Sequence, residues 1–95
     1  MGVSKTGRIT ALDFESYLDG GAYGSYGTAS TFYTGALQTV TYAVENYHFR
    51  GARFFTCKAP CGPKRGHGTV QPRFAVEVQL DKIACDLGID PAKLR

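Results

Sequence analysis

Pro72-Arg73-Phe74-Ala75-Val76-Glu77-Val78-Gln79-Leu80-Asp81-Lys82-Ile83-Ala84-Cys85-Asp86-Leu87-Gly88 carries the most regular pattern in the chain. Proline at its head suits a first helical turn, where the missing N–H has no helical partner to lose. Val76, Leu80, Ile83, Ala84 and Leu87 recur at helical spacing and make one apolar stripe. Gly88 stands where a helix end favours a left-handed residue, and Asp90-Pro91 reads as the cap and first residue of a second helix. The spacing predicts a helix over 72–87, packed by its stripe on a sheet, with Cys85 near that stripe as a buried free thiol.

Upstream, residues 59–71 are broken by Pro60, Gly62, Pro63, Gly66 and Gly68 and read as an irregular loop. Residues 49–58 before it read as a strand. Between 28 and 46 helical and strand signals overlap, and the pattern favours a helix from about Ser30, as N-cap, to about Tyr42. Residues 20–27 are a glycine- and tyrosine-rich connector without the spacing of a nucleotide-binding loop. Residues 9–18 alternate, with Leu12, Phe14, Ser16 and Leu18 on one face and Asp13, Glu15, Tyr17 and Asp19 on the other, as a half-buried strand does. A turn at 5–8 precedes it, and only Met1 to Ser4 remain to pair with it, so this strand is expected to lack a hairpin partner. These elements predict an α+β fold of short antiparallel strands with two or three helices. Residues 1–95 are expected to form a single partial domain, with both ends looking truncated.

Composition narrows the function. With 43% hydrophobic and 20% charged residues the chain of 95 is globular rather than disordered. No apolar run is long enough to span a bilayer, and the first residues lack a secretory core, so a cytoplasmic setting is expected. The net charge of +3 is mild and selects no nucleic-acid partner. From Tyr47 to Val76 there is no acidic residue, while Arg50, Arg53, Lys58, Lys64, Arg65 and Arg73 all fall there among aromatics. That run suits a basic cleft for an anionic ligand as well as a nucleic-acid surface. Cys57, Cys61, His67 and Cys85 lack the paired rhythm of a structural zinc site. No nucleophile elbow frames a hydrolytic triad. His67, between two glycines in the basic loop, is a better candidate for a functional aromatic than His48 in the strand.

The loop Pro60-Cys61-Gly62-Pro63-Lys64-Arg65-Gly66-His67-Gly68-Thr69-Val70-Gln71 and the helix after it resemble the molybdenum hydroxylases, the xanthine dehydrogenase and aldehyde oxidase family. The match is to the large, molybdopterin-binding subunit. Its R-G-[FYH]-G-x-x-Q loop is met by Arg65 to Gln71, its helix glutamate by Glu77, and its L-G-x-D-P turn by Leu87-Gly88-Ile89-Asp90-Pro91. Gly7-Arg8-Ile9-Thr10-Ala11-Leu12, Asp19-Gly20-Gly21-Ala22-Tyr23 and Asn46-Tyr47 are similar to it as well. The resemblance implies part of a molybdopterin-binding domain from a molybdenum-dependent oxidoreductase of aromatic, heterocyclic or aldehyde substrates. It implies molybdopterin, as the cytosine dinucleotide, with iron–sulfur clusters and FAD on partner domains or subunits. The loop looks more like the bacterial branch similar to 4-hydroxybenzoyl-CoA reductase than like carbon monoxide dehydrogenase.

By the same resemblance Lys64, Arg65 and Gly66 bind the cofactor, His67 and Tyr33 face a small-molecule substrate, and Gln71 and Glu77 support the loop. The family's catalytic glutamate falls outside these residues, so none here is assigned as catalytic or as a metal ligand. The expectation for the isolated chain is therefore no cofactor, no turnover, no nucleic acid or membrane binding, and self-association as a homo-oligomer. The alternative is a stand-alone binding or assembly module.

Overall fold

Three strands, β1 (Gly2–Val3), β2 (Ile9–Asp19) and β3 (Asn46–Phe54), make one sheet in the order β1-β2-β3. Three helices, α1 (Gly27–Ala36), α2 (Val70–Leu87) and α3 (Pro91–Leu94), complete a mixed α+β chain. The computed structural model describes every residue from Met1 to Arg95.

β2 does have a hairpin partner. Gly2–Val3 pairs with it antiparallel around a turn in which Gly7 takes φ +90. Against expectation, β3 runs parallel to β2, in register from Ala11↔Asn46 to Asp19↔Phe54. A parallel pair needs a long connection, and α1 with its flanking loops supplies it between the two strands. The alternation read in β2 holds: Leu12 is buried, Phe14, Ser16 and Leu18 are half-buried, and Asp13, Glu15, Tyr17 and Asp19 are exposed. On the outer face the parallel register sets Asp13 beside His48, at 2.9 Å, and Glu15 beside Arg50, at 3.7 Å. On the inner face it stacks Phe14 on Phe49, with ring centroids 6.1 Å apart.

α1 begins at Gly27 and ends near Ala36, three residues earlier and about six earlier than the pattern predicts. Ser30 lies inside the helix, not at its cap. The helix stops where the buried Gln38 amide turns back to donate to the Thr34 carbonyl. Gly35 lets it sit on the sheet, since a Cβ there would lie 2.2 Å from the Phe49 ring.

α2 follows its sequence pattern closely. Val76, Leu80 and Ala84 are buried, Ile83 and Leu87 half-buried, so the stripe is covered by the chain itself. Val76 faces Leu12 and Phe14 across a narrow groove between α2 and the sheet. Gly88 closes α2 in the left-handed region, and the Asp90 carboxylate caps α3 by accepting from the Ala92 and Lys93 amides. Cys85 is exposed, a correction to its expected burial: it follows Ala84 around the helix, off the packed side.

Candidate functional site

The residues after β3 build the largest concavity. Leu18 at the end of β2, Ser30 of α1, the loop from Cys61 to Arg65, Gly68, and Gln71 in the first turn of α2 line a cleft of about 590 Å³. That volume suits a small-molecule ligand. No carboxylate lines it, and Lys64 and Arg65 do. Gly62, Lys64, Arg65, Gly66, His67 and Gly68 donate no main-chain N–H to another main-chain group. Unused amides, two cations and the positive end of an 18-residue helix all favour an anion.

The loop is held by close backbone approach. Gly66 and Gly68 take φ +65 and φ +72. A Cβ on Gly68 would lie 2.2 Å from the Ser30 carbonyl oxygen, so only glycine lets the loop touch α1 there. The Thr34 hydroxyl then donates to the Gly68 carbonyl at 2.7 Å.

His67, between those glycines, falls on the other side of the loop from Lys64 and Arg65. It shares a shallow depression with Tyr33, Leu37 and Thr69. Its ring lies 4.9 Å from the Tyr33 ring and 6.2 Å from the Tyr26 ring. Nε2 of His67 is sealed from solvent without a protein partner. The structure thus brings together Lys64, Arg65 and Gln71 on one side and His67 and Tyr33 on the other, while Gly66, expected with the first group, lies in the loop between them without lining the cleft. Glu77 is set apart from both. Its carboxylate accepts from the Tyr42 hydroxyl and the Arg95 guanidinium, tying the α1–β3 connection and the residue after α3 to α2. Burial pushes the Glu77 carboxyl up, and the Arg95 and Tyr42 hydrogen bonds outweigh it, holding the group below its usual range.

A profile of the molybdopterin cofactor-binding domain matches residues 1–95. The chain belongs to this family. It is 34% identical over 94 residues to a probable xanthine dehydrogenase subunit of Bacillus subtilis, covering 99% of this chain and 13% of that protein. It is 33% identical over 94 residues to the nicotinate dehydrogenase large molybdopterin subunit of Eubacterium barkeri, covering 99% of this chain and 22% of that one. Against the aldehyde oxidoreductase of Megalodesulfovibrio gigas it is 30% identical over 91 residues, covering 96% of this chain and 10% of the relative. The chain therefore spans a small part of the relatives it matches.

The cleft fits the cofactor of the molybdopterin cofactor-binding domain family. Molybdopterin is a phosphate-bearing anion, and the lining residues Gly62, Lys64, Arg65 and Gly68 have amides without main-chain acceptors while no acidic side chain lines the cleft. No helix is long and apolar enough to cross a membrane.

Two features escaped the sequence. One is the contact of Gly68 on Ser30. The other is Arg53, which lies on the inner face of β3 and donates to the Gly20 and Tyr23 carbonyls. The signal for Arg53 was present: alternation along β3 puts it on the side of Tyr47 and Phe49, facing the glycine-rich connector.

Proposed function

We propose that the chain forms one wall of a molybdenum-cofactor site in an oxidoreductase of the xanthine dehydrogenase and aldehyde oxidase type. The observation that carries this reading is that the main-chain amides of Gly62, Lys64, Arg65 and Gly68, all residues of the cleft lining, have no main-chain acceptor and stand beside the Lys64 and Arg65 cations in a cleft free of carboxylates. Lys64, Arg65 and the Gly66 amide hold the anionic cofactor, and Gln71 closes the cleft at the start of α2. When bound, the cofactor supplies two-electron redox chemistry at molybdenum. The protein's part is to bind, orient and desolvate.

His67 and Tyr33 face the substrate, offering an aromatic surface for a flat aromatic, heterocyclic or aldehyde substrate. Relatives named for xanthine, nicotinate and aldehyde agree with that class. The remaining walls come from the rest of a large subunit, and iron–sulfur and FAD units in a soluble cytoplasmic complex carry the electrons. The cofactor takes the cytosine dinucleotide form. Reductive dehydroxylation of the kind carried out by 4-hydroxybenzoyl-CoA reductase belongs to the same chemistry and is separated from hydroxylation by the substrate assay.

The test is made on the subunit containing this segment. Arg65→Glu is expected to lower molybdenum and pterin content about tenfold or more, the effect of losing a hydrogen bond to a charged group. His67→Ala is expected to leave cofactor content near normal and to lower turnover of an aldehyde or N-heterocycle. Cofactor content unchanged in Arg65→Glu would remove the loop from the cofactor's binding site.

A further inference from the structure

Arg53 stands at the inner end of β3 with its guanidinium threaded through the connector between β2 and α1. Nη2 donates to the Tyr23 carbonyl at 2.6 Å and to the Gly20 carbonyl at 3.1 Å. The Phe55 ring lies against the same cation, 4.5 Å from Cζ to centroid. A Cβ on Gly20 would fall 2.3 Å from Nε, and a Cβ on Gly27 would fall 2.2 Å from it. Two glycines at opposite ends of one connector thus vacate the space that one guanidinium fills. Nε itself is sealed from solvent without an acceptor. A buried donor left unpaired is costly, so the placement is expected to serve something other than local stability.

The Gly20 carbonyl that Arg53 holds also receives the Cys61 amide, at 3.1 Å. Cys61 begins the loop stretch that lines the cleft, and Leu18, two residues before Gly20, lines its floor. Gly27 opens α1, whose Ser30 lines the cleft and abuts Gly68. Every structural wall of the cleft except α2 therefore runs through a group that Arg53 touches or excludes.

We infer that Arg53 is a positioning residue that clamps the 20–27 connector and the 61–65 loop into one preorganised cleft wall; the inference rests on the cleft reading above. Both carbonyls are reached from the single Nη2 at the far end of a guanidinium that also lies over the Phe55 ring; a lysine ammonium ends on a shorter stem and has no planar face to lay on that ring.

Amide hydrogen exchange on the 95-residue chain tests the clamp without cofactor. In Arg53→Met, which keeps the stem and removes the guanidinium, the Cys61 amide and the Ala22 amide, which donates to the Lys58 carbonyl at 2.9 Å, are expected to exchange at least tenfold faster. Leu80 and Ala84 amides in α2 are expected to keep their rates. Arg53→Lys is expected to behave like Arg53→Met. Gly27→Ala is expected to speed Cys61 exchange in the wild-type background and to have no further effect beside Arg53→Ala, which empties the space the two groups share.

Unchanged Cys61 exchange in Arg53→Met would overturn the clamp. So would equal acceleration at Leu80, which marks general loss of stability, or full protection restored by Lys. If Arg53→Met fails to fold, Gly27→Ala alone decides, since it displaces the same guanidinium: unchanged Cys61 exchange there overturns the clamp. A wild-type subunit that holds no molybdenum would overturn the cofactor reading instead, and the Cys61 rates would still decide for Arg53.

Discussion

Asp19 concentrates more directed polar contacts than any other carboxylate next to the cleft. It ends β2, and its oxygens accept from Lys58 Nζ at 2.5 Å, the Thr56 hydroxyl at 2.6 Å and the Gly21 amide at 3.2 Å. Lys58 foremost, then Thr56 and Gly21, hold its carboxyl down from 3.8 to about 2. A carboxylate depressed by folding adds stability above its unfolded pKa and loses it as pH falls through the folded one. The Asp19 contribution is thus present above pH 3.8 and drains away toward about 2. An acid titration of the melting temperature is expected to fall across that window, and Asp19→Asn to flatten it. A wild-type slope that persists in Asp19→Asn would assign the acid transition to other carboxylates. The Asp-Gly-Gly sequence is quoted easily from the chain. Its bonds to Thr56 and Lys58 are not, because they depend on which strand lies alongside.

Among the elements, α2 shows what a core residue contributes. Leu80 is 1% exposed and sits mid-stripe, so Leu80→Ala removes buried methyl groups and leaves a cavity. A loss of about 2–5 kcal/mol is expected, read by denaturant titration. That is a large part of the stability of a small domain, and a change under about 1 kcal/mol would mean the site collapses around the deletion. α2 and its ends were legible because everything that fixes them is local: Pro72 in the first turn, the stripe at Val76, Leu80 and Ala84, Gly88 at the end, and Asp90 as the cap of α3. The alternation of β2 was legible for the same reason. Its partner was not. Whether β3 lies parallel or antiparallel depends on where α1 crosses, and residues 28–46 carry helix and strand signals at once. The end of α1 depends on Gln38 turning back to Thr34, a bond no periodicity reports. In the cleft, the basic loop could be read along the chain, and Glu77 could be placed on α2. The outward contacts of Glu77 to Tyr42 and Arg95 join segments far apart in sequence and leave no spacing to read; for Arg53, alternation along β3 gives the face but not the Gly20 and Tyr23 carbonyls it reaches.

At the scale of the molecule the chain exposes more surface than its mass requires. Its accessible area is 6367 Å², against about 5,400 Å² for a compact monomer of 10.3 kDa. Its radius of gyration is 15.3 Å, against about 12.4 Å for a spherical domain of this length. The excess of about 1,000 Å² per chain is close to the roughly 800 Å² per partner of a standard interface. Its composition also suits one, for Tyr17, Phe32, Phe54, Phe55 and Phe74 are each more than half exposed. The apolar stripe of α2 is not the source, since the chain buries it. The open hydrogen-bonding edges are a better candidate: β1 covers β2 only opposite Ile9 and Ala11, and β3 has no neighbour on its far side. Paired edges across a two-fold axis would satisfy those backbone groups and bury nearby aromatics in one step. The 95-residue chain is expected to run as a dimer in light scattering at micromolar concentration, with a melting temperature that rises with concentration. Phe54→Asp, on the outer face of the edge strand β3, is expected to shift it toward monomer while leaving helix content unchanged. A wild-type monomer with a cooperative, concentration-independent melt would mean that the excess surface is tolerated by the single chain.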